Sequence, residues 1–155
     1  MQGLVDAGLD AVVIDLVRDP RDVFASIQAF NSARAYLGFG RRADQSASEY
    51  LETQVENWKR RIEVMRIPIA GARTILIRYE DMVADLAGVA AHLGGLLSIS
   101  MDASRVEADR ERYTQHMTSD GGAGSVGRWR RDLSAAESGR IERTLGDELA
   151  HFGYR

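Results

Sequence analysis

The stretch VVIDLVRDPRDVFAS, residues 12–26, joins a short apolar run to a helical pattern through the charged cluster Arg-Asp-Pro-Arg-Asp. The apolar run has the length and β-branched content of a parallel strand that is covered on both faces. Asp19 is suited to cap the following helix, and Pro20 suits its first position. The carboxyl end of a strand beside a helix amino terminus is where α/β proteins bind anions, so Arg18 is a candidate ligand for phosphate.

The rest of the chain predicts one more strand and four more helices. The second strand is TILIRY, residues 74–79, and it runs into Glu80 and Asp81, which we interpret mainly as helix-capping groups. Two Ser-x-x-Glu capping boxes open two of the helices. The predicted helices begin near Pro20, Ser46, Glu80, Ala103 and Ser134, and the first four end near Ala35, Pro68, Gly94-Gly95 and His116. Residues 36–45 are expected to form an exposed connection, and residues 118–127 are the most flexible segment by composition.

The order of elements indicates an α/β fold with short parallel strands flanked by helices. Two parallel strands that are both fully buried are too few for a sheet, so we expect further strands to be missing. Residues 1–155 are therefore interpreted as one partial domain, and an exposed sheet edge would favour self-association.

Composition narrows the possible functions. The 155 residues have a net charge of -3, which argues against a general nucleic-acid binder, and no cysteine is present for disulfides or thiolate metal sites. No signal peptide or membrane span is recognisable, so we expect a cytoplasmic protein without a membrane partner. Lys59 is the only lysine, and the arginine bias fits either genomic base composition or an anion site.

Three segments in order resemble the sulfotransferases that use 3'-phosphoadenosine 5'-phosphosulfate, called the sulfonucleotide below. The first is the strand and Arg-Asp-Pro-Arg-Asp helix, in which Ser26 follows Arg18 by eight residues. The second is ILIRYEDMVADLAGVAAHLGGLL, residues 75–97, and the third is SVGRWRRDLSAAESGRIERTLGDELAHFGYR, residues 125–155. The resemblance implies part of a three-layer fold like that of P-loop kinases, with the sulfonucleotide as co-substrate and no metal.

The resemblance also implies roles for individual residues. Arg18 and Ser26 would bind the 3'-phosphate, Tyr79 would contact the adenine end, and Gly124 with Gly127 would bring backbone amides to the phosphate. Alternatives remain open: Arg18 could pair with a neighbouring aspartate, Ser26 could be a small packing residue, and Tyr79 could pack at a sheet edge. Where some relatives carry a basic pair before the first glycine, this chain has Gly122-Ala123, and Arg128 or Arg130 could supply the charge instead.

The family's remaining catalytic parts have no counterpart in these residues. The sequence contains no GxxxxGK[ST] loop, and Lys59 lies in a predicted helix without glycines around it. The family's base lies upstream of the Arg-Asp-Pro segment, whereas His92, His116 and His151 all lie downstream. Catalytic residues therefore stay unassigned. The sequence favours a sulfotransferase domain acting on an unknown small-molecule or glycan hydroxyl or amine, with a non-catalytic module for adenosine 3',5'-bisphosphate as the alternative.

Overall fold

The computed structural model describes residues 11–35, 37–105, 118–119 and 121–154. The two strands pair in parallel, with Val12 opposite Arg73 and Val17 opposite Arg78. The elements in chain order are β1 (Val12–Val17), α1 (Pro20–Arg34), α2 (Ala47–Met65), β2 (Arg73–Arg78), α3 (Tyr79–Ala84), α4 (Leu86–Leu97), a 3-10 turn (Ala123–Ser125), α5 (Trp129–Asp132) and α6 (Ala135–His151). The α/β class with helices around short parallel strands is confirmed. The three-layer P-loop-kinase-like arrangement and the single partial domain stay predictions.

The predicted helix starts are largely confirmed. The Asp19 carboxylate accepts a hydrogen bond from the Arg21 amide, and Pro20 occupies the first position of α1. Both capping boxes form, at Ser46 before α2 and at Ser134 before α6. These starts depend on side chains within one helical turn, which is why sequence spacing alone locates them.

Three details of the prediction around β2 were wrong. Tyr79 is the first residue of α3, one residue past the end of β2. The helix predicted after β2 is divided at Asp85, whose carboxylate caps α4 through the amide of Gly88. The paired glycines do not end α4, which continues to Leu97. A β-carbon at Gly94 would lie 2.8 Å from the backbone oxygen of Ile99, so this glycine permits a close backbone approach instead.

The predicted helix 103–116 lies mostly outside the described residues. Residues 103–105 are helical, and residues 106–117 are not described. In the described part of the chain, no helix is long and apolar enough to cross a membrane.

The main core lies between β1, α1, α2 and α6. Buried side chains from all four elements form it, among them Phe24, Tyr50, Ile141 and Leu145, and the Trp58 side chain packs against it partly buried. The carboxyl-terminal residues Phe152 and Tyr154 also belong to it. The final helix thus fixes the position of the Arg-Asp-Pro-Arg-Asp helix relative to the strand before it.

The expectation that both strands are covered on both faces was wrong. Ile14, Leu16 and Leu76 are 45%, 55% and 49% exposed, whereas Val17 and Ile77 are buried. Among the described residues the sheet has only two strands, and the face that carries Ile14 and Leu16 is left exposed. Self-association through this sheet stays a prediction.

Candidate anion-binding site

Arg18 lies directly after β1, where the strand meets the amino terminus of α1. Its Nη2 donates a 2.8 Å hydrogen bond to the backbone oxygen of Ser125, and its guanidinium carbon lies 4.4 Å from the ring centroid of Tyr79. The Nε of Arg18 is buried and has no hydrogen-bond partner in the described part of the chain. The guanidinium is therefore held in place by the protein while part of its donor capacity stays unused.

Tyr79 reaches the same loop from the start of α3. Its hydroxyl lies 2.9 Å from Ser125 Oγ, and Ser125 Oγ donates to the backbone oxygen of Gly122 at 2.5 Å. Because a serine hydroxyl has one proton, Tyr79 is the donor of the pair. Ser125 thus contacts both side chains: its backbone oxygen accepts from Arg18, and its hydroxyl accepts from Tyr79.

Ser26 is half-buried on α1, and its hydroxyl lies 2.9 Å from Thr118 Oγ1. Arg128 donates from one nitrogen to both the hydroxyl and the carbonyl oxygen of Thr118, each at 2.9 Å. The structure therefore brings Ser26 to the same glycine-rich segment that contacts Arg18. The bond that Ser26 makes runs to a distant segment rather than back to its own helix.

The Asp22 carboxylate attaches this segment to α1. Asp22 is 1% exposed, and its two oxygens accept hydrogen bonds from the amides of Gly127 at 2.6 Å and Trp129 at 2.9 Å. Burial raises the pKa of Asp22 above its ordinary value, although the two amide hydrogen bonds oppose the shift. Both Asp22 oxygens thus bind loop amides, and Asp22 does not form an ion pair with Arg18.

Arg21 is also a structural residue. It is 2% exposed, pairs with Asp19 at 2.7 Å and Glu142 at 2.8 Å, and stacks on the ring of Trp129 at 4.0 Å. The Arg-Asp-Pro-Arg-Asp cluster therefore has two parts. Arg18 faces the loop with unused donor capacity, while Arg21 and Asp22 attach α6 and the loop to α1.

Glu80 joins the ends of both strands instead of capping a helix, so its predicted role was wrong. Its carboxylate accepts hydrogen bonds from the amide of Asp19 at 2.9 Å and from the hydroxyl of Tyr154 at 3.0 Å. Burial and the Glu80 charge raise the pKa of Tyr154 well above its ordinary value. The carboxyl-terminal tyrosine thereby helps to hold the strand ends around Arg18.

The two glycines of the loop differ in what they require. Gly124 lies in the 3-10 turn, and a β-carbon there would meet only Ser119 Cβ at 3.7 Å. Gly127 has a φ of +70°, a backbone conformation that favours glycine, and its amide donates a hydrogen bond to Asp22. Gly127 is therefore the glycine that the loop backbone needs, and whether Gly124 contacts a ligand stays a prediction.

Arg128 is 6% exposed and is already neutralised within the loop. Two of its nitrogens lie 2.6 Å from Asp132 Oδ2, and a third contact runs to Thr118. Burial favours a higher pKa for Asp132, but the hydrogen bonds from Arg128 and Arg131 lower it by more. Arg128 therefore supports the loop in this structure, and its predicted contact with phosphate is untested.

Sequence reasoning did not identify Asp22, Thr118 or Ser125 as site residues. Ser125 falls inside the predicted glycine loop, and an aspartate in the first turn of α1 reads as a favourable helix charge. Only the folded chain shows that these side chains join segments about a hundred residues apart. Among the described residues, no group of three or more His, Cys, Asp or Glu side chains could hold a metal ion.

The sequence profile of the sulfotransferase family matches residues 9–103, more than half of the chain. This chain belongs to the sulfotransferase family. The match includes Arg18, Ser26 and Tyr79, while the glycine loop lies beyond it and is connected to the site by geometry alone. No curated protein and no solved structure matches the chain.

Family membership supports a general role in sulfuryl transfer, for which members of the family commonly use the sulfonucleotide as donor.

Proposed function

We propose that this sulfotransferase-family chain binds the 3'-phosphate of the sulfonucleotide, in a domain that transfers the sulfuryl group to a hydroxyl or amine. The observation that carries the proposal is Arg18, with its buried and unpartnered Nε, at the carboxyl end of β1. A phosphate there would gain charge-assisted hydrogen bonds from the guanidinium and lie beside the amino terminus of α1.

The neighbouring groups fit the same ligand. Ser26 and Thr118 place two hydroxyls at the loop that Arg18 contacts. The Ser125 and Tyr79 hydroxyls lie beside Arg18 and would have to turn from their present acceptors to donate to a phosphate. The Tyr79 ring already carries the guanidinium on one face, so a planar adenine would extend the same stack. These groups would bind and orient the nucleotide, with Gly124 and Arg128 as further candidate contacts from the loop.

The chemistry of transfer needs more than this half-site. By family analogy, a lysine supports the leaving phosphate and a base deprotonates the acceptor, and neither is assigned among these 155 residues. The alternative is therefore a non-catalytic module that binds adenosine 3',5'-bisphosphate. The acceptor, small molecule or glycan, stays open in both cases.

The proposal is tested by calorimetric titration with adenosine 3',5'-bisphosphate beside adenosine 5'-monophosphate, which lacks the 3'-phosphate. Charge-assisted hydrogen bonds contribute about 1.5–3 kcal/mol, so the bisphosphate should bind roughly tenfold to a hundredfold more tightly. Equal affinities, or no binding to a folded chain, would contradict a 3'-phosphate site.

A transfer assay separates the two candidates. Release of adenosine 3',5'-bisphosphate from the sulfonucleotide, dependent on added phenol, alcohol and amine acceptors, would favour the enzyme. Tight binding without turnover would favour the binding module.

A further inference from the structure

The hydroxyl groups around Arg18 differ in whether their protons are free for a ligand. Ser125 Oγ donates to the backbone oxygen of Gly122, and the Tyr79 hydroxyl donates to Ser125 Oγ. Because a hydroxyl carries a single proton, both protons are already used inside the protein. A phosphate dianion only accepts hydrogen bonds, so it can take neither proton unless this chain of hydrogen bonds breaks.

The Ser26 hydroxyl belongs to a second chain of hydrogen bonds, which begins at a cation. Arg128 Nη1 donates to Thr118 Oγ1 at 2.9 Å, and Thr118 Oγ1 lies 2.9 Å from Ser26 Oγ. A guanidinium can only donate, so Thr118 accepts from Arg128 and keeps its own proton. A hydrogen bond from a cation polarises the Thr118 hydroxyl and strengthens it as a donor. Thr118 is therefore suited to donate to Ser26, which leaves the Ser26 proton for a ligand.

Thr118 is held in the position that this second chain requires. The same nitrogen of Arg128 also donates to the backbone oxygen of Thr118 at 2.9 Å, so one guanidinium fixes both its backbone and its side chain. Arg128 is in turn bound to Asp132 at 2.6 Å. Without a donor beside it, a serine in a helix commonly bonds back to a carbonyl one turn earlier, which for Ser26 is that of Asp22.

We propose that Thr118 is a positioning residue of the nucleotide site, which donates to Ser26 and so directs the Ser26 proton at the 3'-phosphate. This inference rests on the proposed function, because it assigns the donor that Ser26 needs when it binds a phosphate. It also ranks the hydroxyls of the site. Ser26 can donate to a phosphate without giving up an acceptor in the protein, whereas Tyr79 and Ser125 cannot.

The test is calorimetric titration of the Thr118→Val variant with adenosine 3',5'-bisphosphate and with adenosine 5'-monophosphate. Valine keeps the size of the side chain and removes the hydroxyl. Binding of the bisphosphate should weaken about threefold to tenfold, the effect of losing one neutral hydrogen bond. Binding of the monophosphate, which lacks the 3'-phosphate, should stay unchanged.

Three further variants control for the substitution itself. Thr118→Ser retains a hydroxyl and should restore most of the wild-type preference for the bisphosphate. Thr74→Val, the same change at an exposed position of β2, should leave the preference unaltered. Thr118→Ala should behave like Thr118→Val, and it takes the place of that variant if circular dichroism shows that the valine variant is unfolded.

A double-mutant cycle with Ser26→Ala separates positioning from a general structural effect. If Thr118 acts through Ser26, Thr118→Val should cause no further loss of bisphosphate affinity in Ser26→Ala. An equal loss in both backgrounds, or an unchanged preference in folded Thr118→Val, would overturn this inference and leave the 3'-phosphate site standing. A wild type that does not prefer the bisphosphate would contradict the proposed function, and this inference with it.

Discussion

Asp22 on α1 accepts hydrogen bonds from the backbone amides of both Gly127 and Trp129, at 2.6 and 2.9 Å. The same carboxylate thereby links the first helix to a loop more than a hundred residues later. This link places Ser125 where Arg18 contacts it and brings the loop close to Ser26 through Thr118. The candidate phosphate site is therefore assembled by a residue that does not itself face the ligand.

Asp22→Asn should separate the loop from α1. An amide side chain offers one carbonyl oxygen, so one of the two loop amides would lose its buried acceptor at a cost of about 1–3 kcal/mol. We expect the free energy of unfolding, measured with urea, to fall by about this amount. Asp147→Asn, an exposed change on α6, is the matched control and should have little effect. Equal stabilities of the two variants would show that Asp22 does not hold the loop.

Gly94 and Gly95 are neighbours in α4 but should respond oppositely to alanine. A β-carbon at Gly94 would lie 2.8 Å from the backbone oxygen of Ile99, whereas one at Gly95 meets nothing within 4 Å. Gly95→Ala should therefore stabilise the protein by about 0.5–1 kcal/mol through helix propensity, and Gly94→Ala should destabilise it. Thermal unfolding of the two variants measures the difference, and a rise in Tm for Gly94→Ala would contradict the close approach.

Asp132 should make the stability of the loop fall in acid. Although burial favours a higher pKa, hydrogen bonds from Arg128 and Arg131 hold the pKa of Asp132 below its ordinary value of about 3.9. A carboxylate with a lowered folded-state pKa stabilises the fold above its unfolded-state value and loses that contribution as pH falls through the folded-state value. The stability difference between wild type and Asp132→Asn should therefore be largest near pH 6 and shrink toward pH 3.

The pKa of Asp22 is shifted the other way, which provides an internal comparison. Burial raises the folded-state pKa of Asp22. The stability that protonation of Asp22 contributes is therefore fully present below the unfolded-state pKa, and it is lost as pH rises through the folded-state pKa. Acidification should thus raise the stability of the wild type relative to Asp22→Asn and lower it relative to Asp132→Asn. Urea unfolding at several pH values measures both stability differences. If the stabilities of the wild type and the two variants changed with pH in parallel, the pKa shifts of Asp22 and Asp132 would both be contradicted.

Local rules were enough to predict much of this fold. The helix starts at Asp19, Ser46 and Ser134 are set by side chains within one turn, and the strand before Arg18 is a mostly apolar run, VVIDLV. These features depend on neighbours in sequence, so spacing and residue type identify them. The position of Arg18 at a strand end follows from the same local pattern.

Tertiary contacts explain the errors. Gly94 reads as a helix stop, but its role depends on the chain returning at Ile99. Glu80 reads as a helix charge, but it accepts from Asp19 and Tyr154, which are distant in sequence. Ile14 and Leu16 are exposed because, among the described residues, nothing covers their face of the two-stranded sheet, whereas an apolar run alone predicts full burial.

Arg18 is the central residue of the proposed nucleotide site, and its substitution tests the account most directly. Arg18→Ala and the exposed control Arg42→Ala would be titrated with adenosine 3',5'-bisphosphate by calorimetry, after circular dichroism has shown that both are folded. Loss of Arg18 should weaken binding roughly tenfold to a hundredfold, or about 1.5–3 kcal/mol, while the control keeps the wild-type affinity. Affinity that is unchanged in folded Arg18→Ala would contradict the proposed 3'-phosphate site.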